Sequence, residues 1–275
     1  MSHPQIAVFA RLANGNAQPV RSIAGQKSLV SRTMHGVAYD DVRDLILVPQ
    51  YHAQAILVFR GGANGDEAPI RIIQGPKTQL RDPMKLAVDS LHNEIYIPQE
   101  RRILVFSGDA QGDVPPLRVL EGPDTQLTNG SVGVDPINNV LITVSRDESS
   151  TPNQPRSRML IFDRTGNGNT KPKGVIAGPH SGIIGTQGPI ALYPPRQEVI
   201  IGMYGPDAER GTEDSYFGVW SYSKYGDLPP LWKFGGPRGI TRNPRGIALV
   251  PKDKEVVVSD KTVNAVLTWY LPEMF

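Results

Sequence analysis

The feature that most constrains this chain is a repeat, because a unit of about 50 residues recurs along it. Two copies are nearly the same: "ILVFRGGANGDEAPIRIIQG" at residues 56–75 and "ILVFSGDAQGDVPPLRVLEG" at residues 103–122. Further copies begin at Ile6, Met159 and Phe217. A repeat of this kind decides the architecture before any single residue decides the chemistry.

Five positions are shared by all five copies without a gap. An aromatic residue comes third after the start of each copy, and a proline comes thirteenth. The glycines nine positions after each start are Gly15, Gly65, Gly112, Gly168 and Gly226. The Asn or Asp residues that follow them are Asn16, Asp66, Asp113, Asn169 and Asp227. The glycines nineteen positions after each start are Gly25, Gly75, Gly122, Gly178 and Gly236.

Each copy reads as a β-hairpin preceded by two further strands. "ILVF" suits a half-buried strand, "ANGD" predicts a tight reversal, and "PIRII" predicts a return strand that starts at its proline. Segments such as "KLAVD" and "EIYIPQ" supply the other two strands. Helical repeats are excluded because no 3.6-residue periodicity appears and Pro and Gly recur in every unit.

Four-stranded units of this length are typical of β-propeller blades. We count two strands at the N-terminus, four complete sets of four, and three strands at the C-terminus. The sequence therefore predicts an all-β, single-domain β-propeller over residues 1–275. Five blades are favoured and six are the alternative, with the last blade closed by strands from both termini.

One strand exceeds what five blades need. Residues 6–9 are the surplus strand if residues 266–270 and 20–23 complete the last blade. An outermost strand with a bare edge can pair with another chain, so the sequence predicts possible self-association through this N-terminal edge.

Composition narrows the partners and the compartment. The net charge of +2 gives no reason to expect nucleic acid, and no apolar run approaches the length of a membrane span. The absence of cysteine excludes disulfides and iron–sulfur clusters. The first strand begins near residue 6, so we expect no signal peptide in this chain. The protein is then cytoplasmic, or exported with its leader removed.

The repeat resembles that of NHL-type and TolB-like β-propellers. The resemblance is carried by "DPMKLAVDSLHNEIYIPQERRILVF" at residues 82–106 and "NPRGIALVPKDKEVVVSDKTVNAVLTW" at residues 243–269. It covers nearly the whole chain, although the glycine that opens the first strand is Lys85, Ser131 or Pro189 in three copies. Such propellers include protein binders, RNA binders and hydrolases, so the resemblance implies the architecture rather than one function.

Loop lengths point to one face of the predicted propeller. The loops from second to third strand are long in two neighbouring copies, at residues 146–158 and 205–216. They predict either a rim around a binding site or tolerated insertions. The residues expected at the channel mouth on this face are His35, Lys85, Arg245, Gln50, Gln99, Tyr204 and Asp147.

Two interpretations of this polar group stay open. Lys85, Arg245 and His35 could hold a small polar or anionic ligand. The two cations could instead pair with Asp147, Glu100 or Asp260 and seal the channel.

Signals of catalysis are weak, because the chain has no nucleophile elbow, zinc-protease motif or phosphate-binding loop. A lactonase-like metal site would need Glu100, Asn129, Gln187 and Asp260 to converge. Asp260 and Asn264 could equally stabilise a strand-to-strand turn. "DRTGNGN" at residues 163–169 resembles a calcium loop but lacks the closing Glu and aligns with the hairpin turn of the other copies.

No cofactor is therefore expected, with calcium as the alternative. We expect a non-enzymatic propeller that binds a small polar ligand or a protein partner. The alternatives are a metal-dependent hydrolase or lactonase and a structural, self-assembling protein.

Overall fold

The computed structural model describes residues 4–32, 34–128, 130–148, 157–185, 188–204 and 215–275. Within these ranges the regular structure consists of 21 β-strands and short 3-10 turns. The strands are β1 (Ile6–Val8), β2 (Arg21–Ile23), β3 (Ala38–Asp40), β4 (Leu45–Gln50), β5 (Ala55–Arg60), β6 (Arg71–Gln74), β7 (Ala87–Asp89), β8 (Glu94–Gln99), β9 (Arg102–Ser107), β10 (Arg118–Glu121), β11 (Val132–Asp135), β12 (Val140–Arg146), β13 (Ser157–Asp163), β14 (Gly174–Ile176), β15 (Ile190–Tyr193), β16 (Glu198–Met203), β17 (Tyr216–Ser221), β18 (Trp232–Gly235), β19 (Pro244–Val250), β20 (Glu255–Asp260) and β21 (Ala265–Tyr270).

The sheets follow the repeats. Four sheets each hold four consecutive strands, namely β3–β6, β7–β10, β11–β14 and β15–β18. Strands β19–β21 form a three-stranded sheet, and β1 pairs antiparallel with β2 in a sheet of two. This is the strand arrangement of a five-bladed β-propeller, and the favoured blade number is confirmed. Closure of the last blade by β1 or β2 stays a prediction.

The chain divides into two compact units. The first comprises Met1–Ile97 and Leu104–Leu117, and the second comprises Pro98–Ile103 and Arg118–Phe275. The boundaries fall within β8, within β9 and directly before β10. The assignment of residues 1–275 to a single domain stays a prediction.

The second and third strands of the four complete repeats form the core of each unit. Every residue of β4 is buried, as are five of the six residues of β5. In the first unit Ile23 packs with Val48 and Phe59. In the second unit Ile161 and Trp220 belong to one cluster of buried side chains. These central strands read as continuous apolar runs because both of their faces are covered.

Strand β21 departs from this pattern. It is the third strand of its sheet, yet its side chains alternate between half-buried and exposed. Val266 and Tyr270 are exposed on it.

The prediction of a tight reversal at "ANGD" is wrong. Strand β5 ends at Arg60 and β6 starts only at Arg71, so the connection spans residues 61–70 and Pro69 lies before the strand. Gly65, with φ +64°, instead contacts the preceding repeat: its N–H donates to Ser22 O at 2.7 Å. Ala24 N–H donates in return to Gly65 O at 2.9 Å. The conserved spacing within the repeat therefore serves a junction between repeats.

The same junction occurs four times. In each repeat, the glycine at the position of Gly65 and the Asn or Asp that follows it are called the turn. The glycine at the position of Gly75, after the outermost strand, and the two residues that follow it are called the cradle. In each junction an Asx side-chain oxygen accepts a hydrogen bond from the last backbone N–H of the cradle. The four pairs are Asp66 with Lys27 N at 2.7 Å, Asp113 with Lys77 N at 2.6 Å, Asn169 with Asp124 N at 2.8 Å, and Asp227 with His180 N at 2.8 Å.

The cradle requires glycine for two reasons. Gly75 has φ +133°, a conformation that side chains with a Cβ rarely adopt. A Cβ on Gly75 would also lie 2.5 Å from Cγ of Asp113. The shared Gly and Asx positions of the sequence are thus the two sides of one contact.

Candidate functional site

The predicted binding residues are divided between the two units. His35, Lys85 and Gln50 belong to the first unit. Arg245, Gln99, Tyr204 and Asp147 belong to the second unit. The convergence of all seven at one mouth stays a prediction.

In the first unit, Gln50 lies at the end of β4. Its side chain is 1 % exposed, and Oε1 accepts a hydrogen bond from Ser31 N at 3.1 Å. Gln50 thereby holds the segment that leads into β3, and its role in ligand binding stays a prediction.

His35 and Lys85 lie before β3 and β7 respectively. His35 is exposed and its ring meets the Tyr51 ring edge-on, with 6.2 Å between centroids. Lys85 is half-buried, and a Cβ on Gly36 would lie 3.0 Å from Met84 O. The segments that carry His35 and Lys85 are therefore neighbours, as their aligned positions predict. Tyr51 was missed because its neighbourhood with His35 depends on packing between loops.

In the second unit, Asp147 and Gln99 contact arginines that the sequence analysis did not select. Asp147 forms an ion pair with Arg158, which also donates to Gln126 Oε1 at 2.7 Å. Gln99 Oε1 accepts from Arg102 at 3.3 Å. Arg158 stands at the end of a long loop whose residues 149–156 lie outside the described ranges, and sequence spacing gave no signal for its pairing.

Tyr204 and Arg245 are brought together. Tyr204 directly follows β16, and Arg245 is the second residue of β19. The guanidinium carbon of Arg245 lies 5.6 Å from the centroid of the Tyr204 ring, within the range of a cation–π contact. Gly185 also lies against the Tyr204 ring, since a Cβ added to Gly185 would lie 3.5 Å from Tyr204 Cδ2.

The hydroxyl of Tyr204 is buried, and none of the residues that the structure describes accepts its hydrogen. Tyr204 is 3 % exposed. Burial raises the pKa of Tyr204 to about 12, although Arg245 lowers it in part through its charge and by donating a hydrogen bond to the hydroxyl oxygen. The phenol therefore stays protonated at neutral pH and keeps a hydrogen to donate.

The neutral hydroxyl of Tyr204 and the guanidinium of Arg245 together offer hydrogen-bond donors and one positive charge. Leaving a buried donor unpaired costs about 1 to 3 kcal/mol, so such a group is normally satisfied by a ligand or by water. Carboxylate and phosphate oxygens fit both donors, because they accept hydrogen bonds and carry negative charge.

The candidate metal ligands are placed as follows. Asp260 is 3 % exposed, and its carboxylate accepts four backbone N–H groups, those of Arg242, Asn243, Thr262 and Val263. Asp260 thus stabilises the turn after β20, as one of the two interpretations predicted. Glu100 is exposed, and Asn129 and Gln187 lie outside the described residues. Within the described ranges, no three His, Asp or Glu side chains are grouped as metal ligands.

The segment at residues 163–169 contributes to a junction. Asp163 pairs with Lys173 Nζ at 2.7 Å, and Asn167 Oδ1 accepts from Val119 N at 3.2 Å. Asn169 Oδ1 accepts from Asp124 N. The side-chain oxygens that suggested calcium thus have protein partners.

Comparison with known proteins supports the architecture alone. Models of known protein families give no match, and no curated protein sequence matches the chain. Among solved structures, the chain is similar to hydrazine synthase of Kuenenia stuttgartiensis with a TM-score of 0.56 and 7% sequence identity. The similarity covers 82% of this chain and 55% of that one, so the chain matches about half of the length of that protein. At this identity the likeness shows the β-propeller fold only.

Among the described residues, no helix has the length and apolar character needed to cross a membrane.

Proposed function

We propose that this protein is a non-enzymatic binding propeller that recognises a small anionic ligand at Tyr204 and Arg245. The ligand class is a carboxylate or a phosphate, because both protein groups are donors and one is a cation. The observation that carries the proposal is the buried Tyr204 hydroxyl, whose hydrogen is accepted by no residue in the described part of the chain.

The position of the pair in the chain supports this function. Tyr204 precedes the second long loop of the sequence, and Arg245 was one of the three cations predicted to hold an anion. Loops next to a rigid sheet commonly carry binding residues. The NHL-type resemblance agrees with a binding role, since such propellers include binders of proteins and other ligands.

A metal-dependent hydrolase is the less supported alternative. Asp260 would be its buried carboxylate ligand, but the four backbone N–H groups already occupy both of its oxygens. Recruiting Asp260 to a metal would require the turn after β20 to lose these hydrogen bonds.

The test compares two Tyr→Phe variants. Isothermal titration calorimetry with inorganic phosphate and with succinate measures binding to the parent, to Tyr204→Phe and to Tyr216→Phe. Tyr216 is the matched control, because burial also raises its pKa to about 12 but its hydroxyl donates to Gly182 O.

We expect the two variants to behave in opposite ways. Tyr204→Phe weakens anion binding about tenfold or more, the value of one hydrogen bond to a charged group, and leaves stability nearly unchanged. Tyr216→Phe leaves binding unchanged and lowers stability by about 1 kcal/mol. Failure of both anions to bind at millimolar concentration, or equal binding by parent and Tyr204→Phe, would overturn the proposal.

A further inference from the structure

In three of the repeats an asparagine stands directly before the turn glycine. The three Asn-Gly pairs are Asn14 with Gly15, Asn64 with Gly65, and Asn167 with Gly168. Asn14 and Asn64 are also both preceded by alanine, so the two sites share the tripeptide Ala-Asn-Gly. Any difference in reactivity between these two asparagines therefore arises from the folded structure.

Two of the three turns are held by the outer strand of the preceding repeat. In each, the asparagine Oδ1 accepts from a strand N–H, and the glycine N–H donates to the carbonyl of the same strand residue. That residue is Ser22 for Asn64 and Gly65, at 3.3 and 2.7 Å, and Val119 for Asn167 and Gly168, at 3.2 and 2.8 Å. The side-chain carboxamide and the following backbone amide are thus both engaged with another segment of the chain.

The turn at Asn14 has a different hydrogen bond. Gly15 N–H donates to Oδ1 of Asn14 itself, at 2.7 Å. Gly15 has φ +60°, close to the +64° of Gly65, so the two glycines share a backbone conformation. The two turns therefore differ in the acceptor of the glycine N–H rather than in the shape of the chain.

This hydrogen bond places the two reacting groups of a deamidation next to each other. Because Oδ1 is bonded to Cγ, the Gly15 nitrogen lies beside the carboxamide carbon of Asn14. Holding two reacting groups in contact removes much of the entropic barrier to their reaction. Gly15 also has no Cβ, which leaves its nitrogen accessible and lets the backbone rotate toward Cγ. Asn14 and Gly15 are exposed, so water reaches both.

We propose that Asn14 is a site of spontaneous deamidation, and that the folded structure protects Asn64 and Asn167. The Gly15 nitrogen bonds to Asn14 Cγ, its proton passes through water to Nδ2, and the Cγ–Nδ2 bond breaks to release ammonia. The resulting five-membered succinimide adds one water molecule and opens at either carbonyl. The products are aspartate or isoaspartate at position 14, with a mass gain of about 1 Da.

The protection of the other two sites follows from the same step. Attack requires the glycine N–H to leave the strand carbonyl and the asparagine carboxamide to turn toward the nitrogen. Both motions break the contacts of the turn with the outer strand. Asn64 and Asn167 therefore react only in the small fraction of molecules in which that turn has opened locally.

Deamidation would change the chemistry of the connection between β1 and β2. Both products add a negative charge to an exposed segment. Isoaspartate also adds one carbon atom to the backbone between Asn14 and Gly15, so the turn can no longer keep its present geometry.

The test incubates the folded protein at mildly alkaline pH and follows each site by mass spectrometry of tryptic peptides. Cleavage after Lys and Arg places the three asparagines on separate peptides, residues 12–21, 61–71 and 165–173. Protein digested without incubation corrects for deamidation during digestion. The same incubation in guanidinium chloride gives the reference rate of each site in the unfolded chain.

In the folded protein we expect Asn14 to deamidate about tenfold or more faster than Asn64 and Asn167, since those two react only after local opening. In guanidinium chloride Asn14 and Asn64 should react at the same rate, because they share one tripeptide. Asn14→Gln should abolish the product in the 12–21 peptide and leave the other two peptides unchanged.

A rate at Asn14 that is no higher than the rate at Asn64 in the folded protein overturns the proposal. So does a rate at Asn14 that rises strongly on unfolding, because the hydrogen bond from Gly15 would then shield the nitrogen instead of presenting it. Fragment spectra that place the modification on Asn16, which shares the peptide, would also contradict it. The parent chain carries the reactive site and both reference sites, so the result does not depend on the folding of a variant.

Discussion

Asp227 binds both the backbone and the side chain of His180. Its Oδ1 accepts from His180 N at 2.8 Å, and its Oδ2 lies 2.6 Å from His180 Nδ1. This junction alone adds a histidine to the turn and cradle described above, because the equivalent cradle residues are Lys27, Lys77 and Asp124. The contribution of this one junction to stability can therefore be measured by varying the pH.

The stability contributed by Asp227 should depend on pH. Burial opposes ionisation of Asp227, but the hydrogen bonds and charge of His180 outweigh it, so the pKa of Asp227 in the folded protein is lowered. A lowered carboxyl pKa stabilises the fold above the pKa of the unfolded chain, and this stabilisation is lost as pH falls through the folded pKa. Parent and Asp227→Asn should differ in melting temperature at pH 5 and converge toward pH 2.

Asn169 provides the control for that measurement. Asn already occupies the Asx position in its junction, so Asn169→Asp tests whether any added charge stabilises a junction. Asp124 lies in the opposing cradle, and its Oδ2 accepts from Asn169 Nδ2 at 3.0 Å. Asn169→Asp should therefore destabilise at pH 7, and equal behaviour of both sites would contradict a role for His180.

The cradle glycines should be far more sensitive than the turn glycines. Gly75→Ala forces a Cβ against Asp113 at φ +133°, and we expect a loss of about 2 to 4 kcal/mol from strain and overlap. Gly65→Ala, at φ +64° with open space around it, should cost only about 1 kcal/mol. Denaturant unfolding of both variants checks this order. Equal losses in the free energy of unfolding would show that Asp113 can move away from the added Cβ.

Tyr222 should contribute to stability through Asp135. Its hydroxyl donates to Asp135 Oδ2, which also accepts from Asn138 Nδ2 at 2.7 Å, and Asp135 is fully buried. Burial, followed by the nearby Asp135, raises the pKa of Tyr222, so the hydroxyl stays protonated. Tyr222→Phe should lower the free energy of unfolding by about 1 to 3 kcal/mol.

The exposed Tyr225 is the control for Tyr222. Tyr225→Phe keeps the ring that contacts Gly174 and should change the denaturant midpoint little. A loss at Tyr225→Phe as large as that at Tyr222→Phe would remove the argument for the buried hydrogen bond.

Deleting residues 2–23 should destabilise the whole protein, because this N-terminal segment contributes to its stability. The deletion removes Ile23, which is fully buried against Val48 and Phe59, and the hydrogen bond from Gly65 N to Ser22 O. Deleting residues 2–5 keeps these contacts and serves as the control. If the longer deletion melts within about 2 °C of the control, less than 1 kcal/mol is involved and the N-terminal strands are dispensable.

The strand count could be predicted from the sequence, while the role of the repeated Gly and Asx could not. Apolar runs and turn residues report local periodicity, and they located all 21 strands of the described structure. Gly65 and Asp66 were read as a tight hairpin because their residue types favour one. Their hydrogen-bond partners, Ser22 and Lys27, lie in another repeat. The spacing of residues within one repeat does not show which groups of a neighbouring repeat those residues contact.

The candidate site was predictable to a similar degree. Alignment of the repeats placed Arg245 at the start of a first strand and Tyr204 at the end of a second strand, both on the channel-mouth face, and the structure brings these two together. It did not foresee that Arg158 would bind Asp147 or that Arg102 would donate to Gln99. Those contacts depend on loop conformation, which residue type alone does not fix.

Every occupied junction follows the same donor and acceptor rule, and each repeat carries an acceptor on one side and a donor on the other. A duplicated repeat inserted between two existing ones would therefore find a matching neighbour at both of its ends without any new interface. The repeats are therefore modular: whole repeats can be added, lost or exchanged between positions. A deletion that ends within a repeat would instead separate residues that no neighbouring repeat can replace.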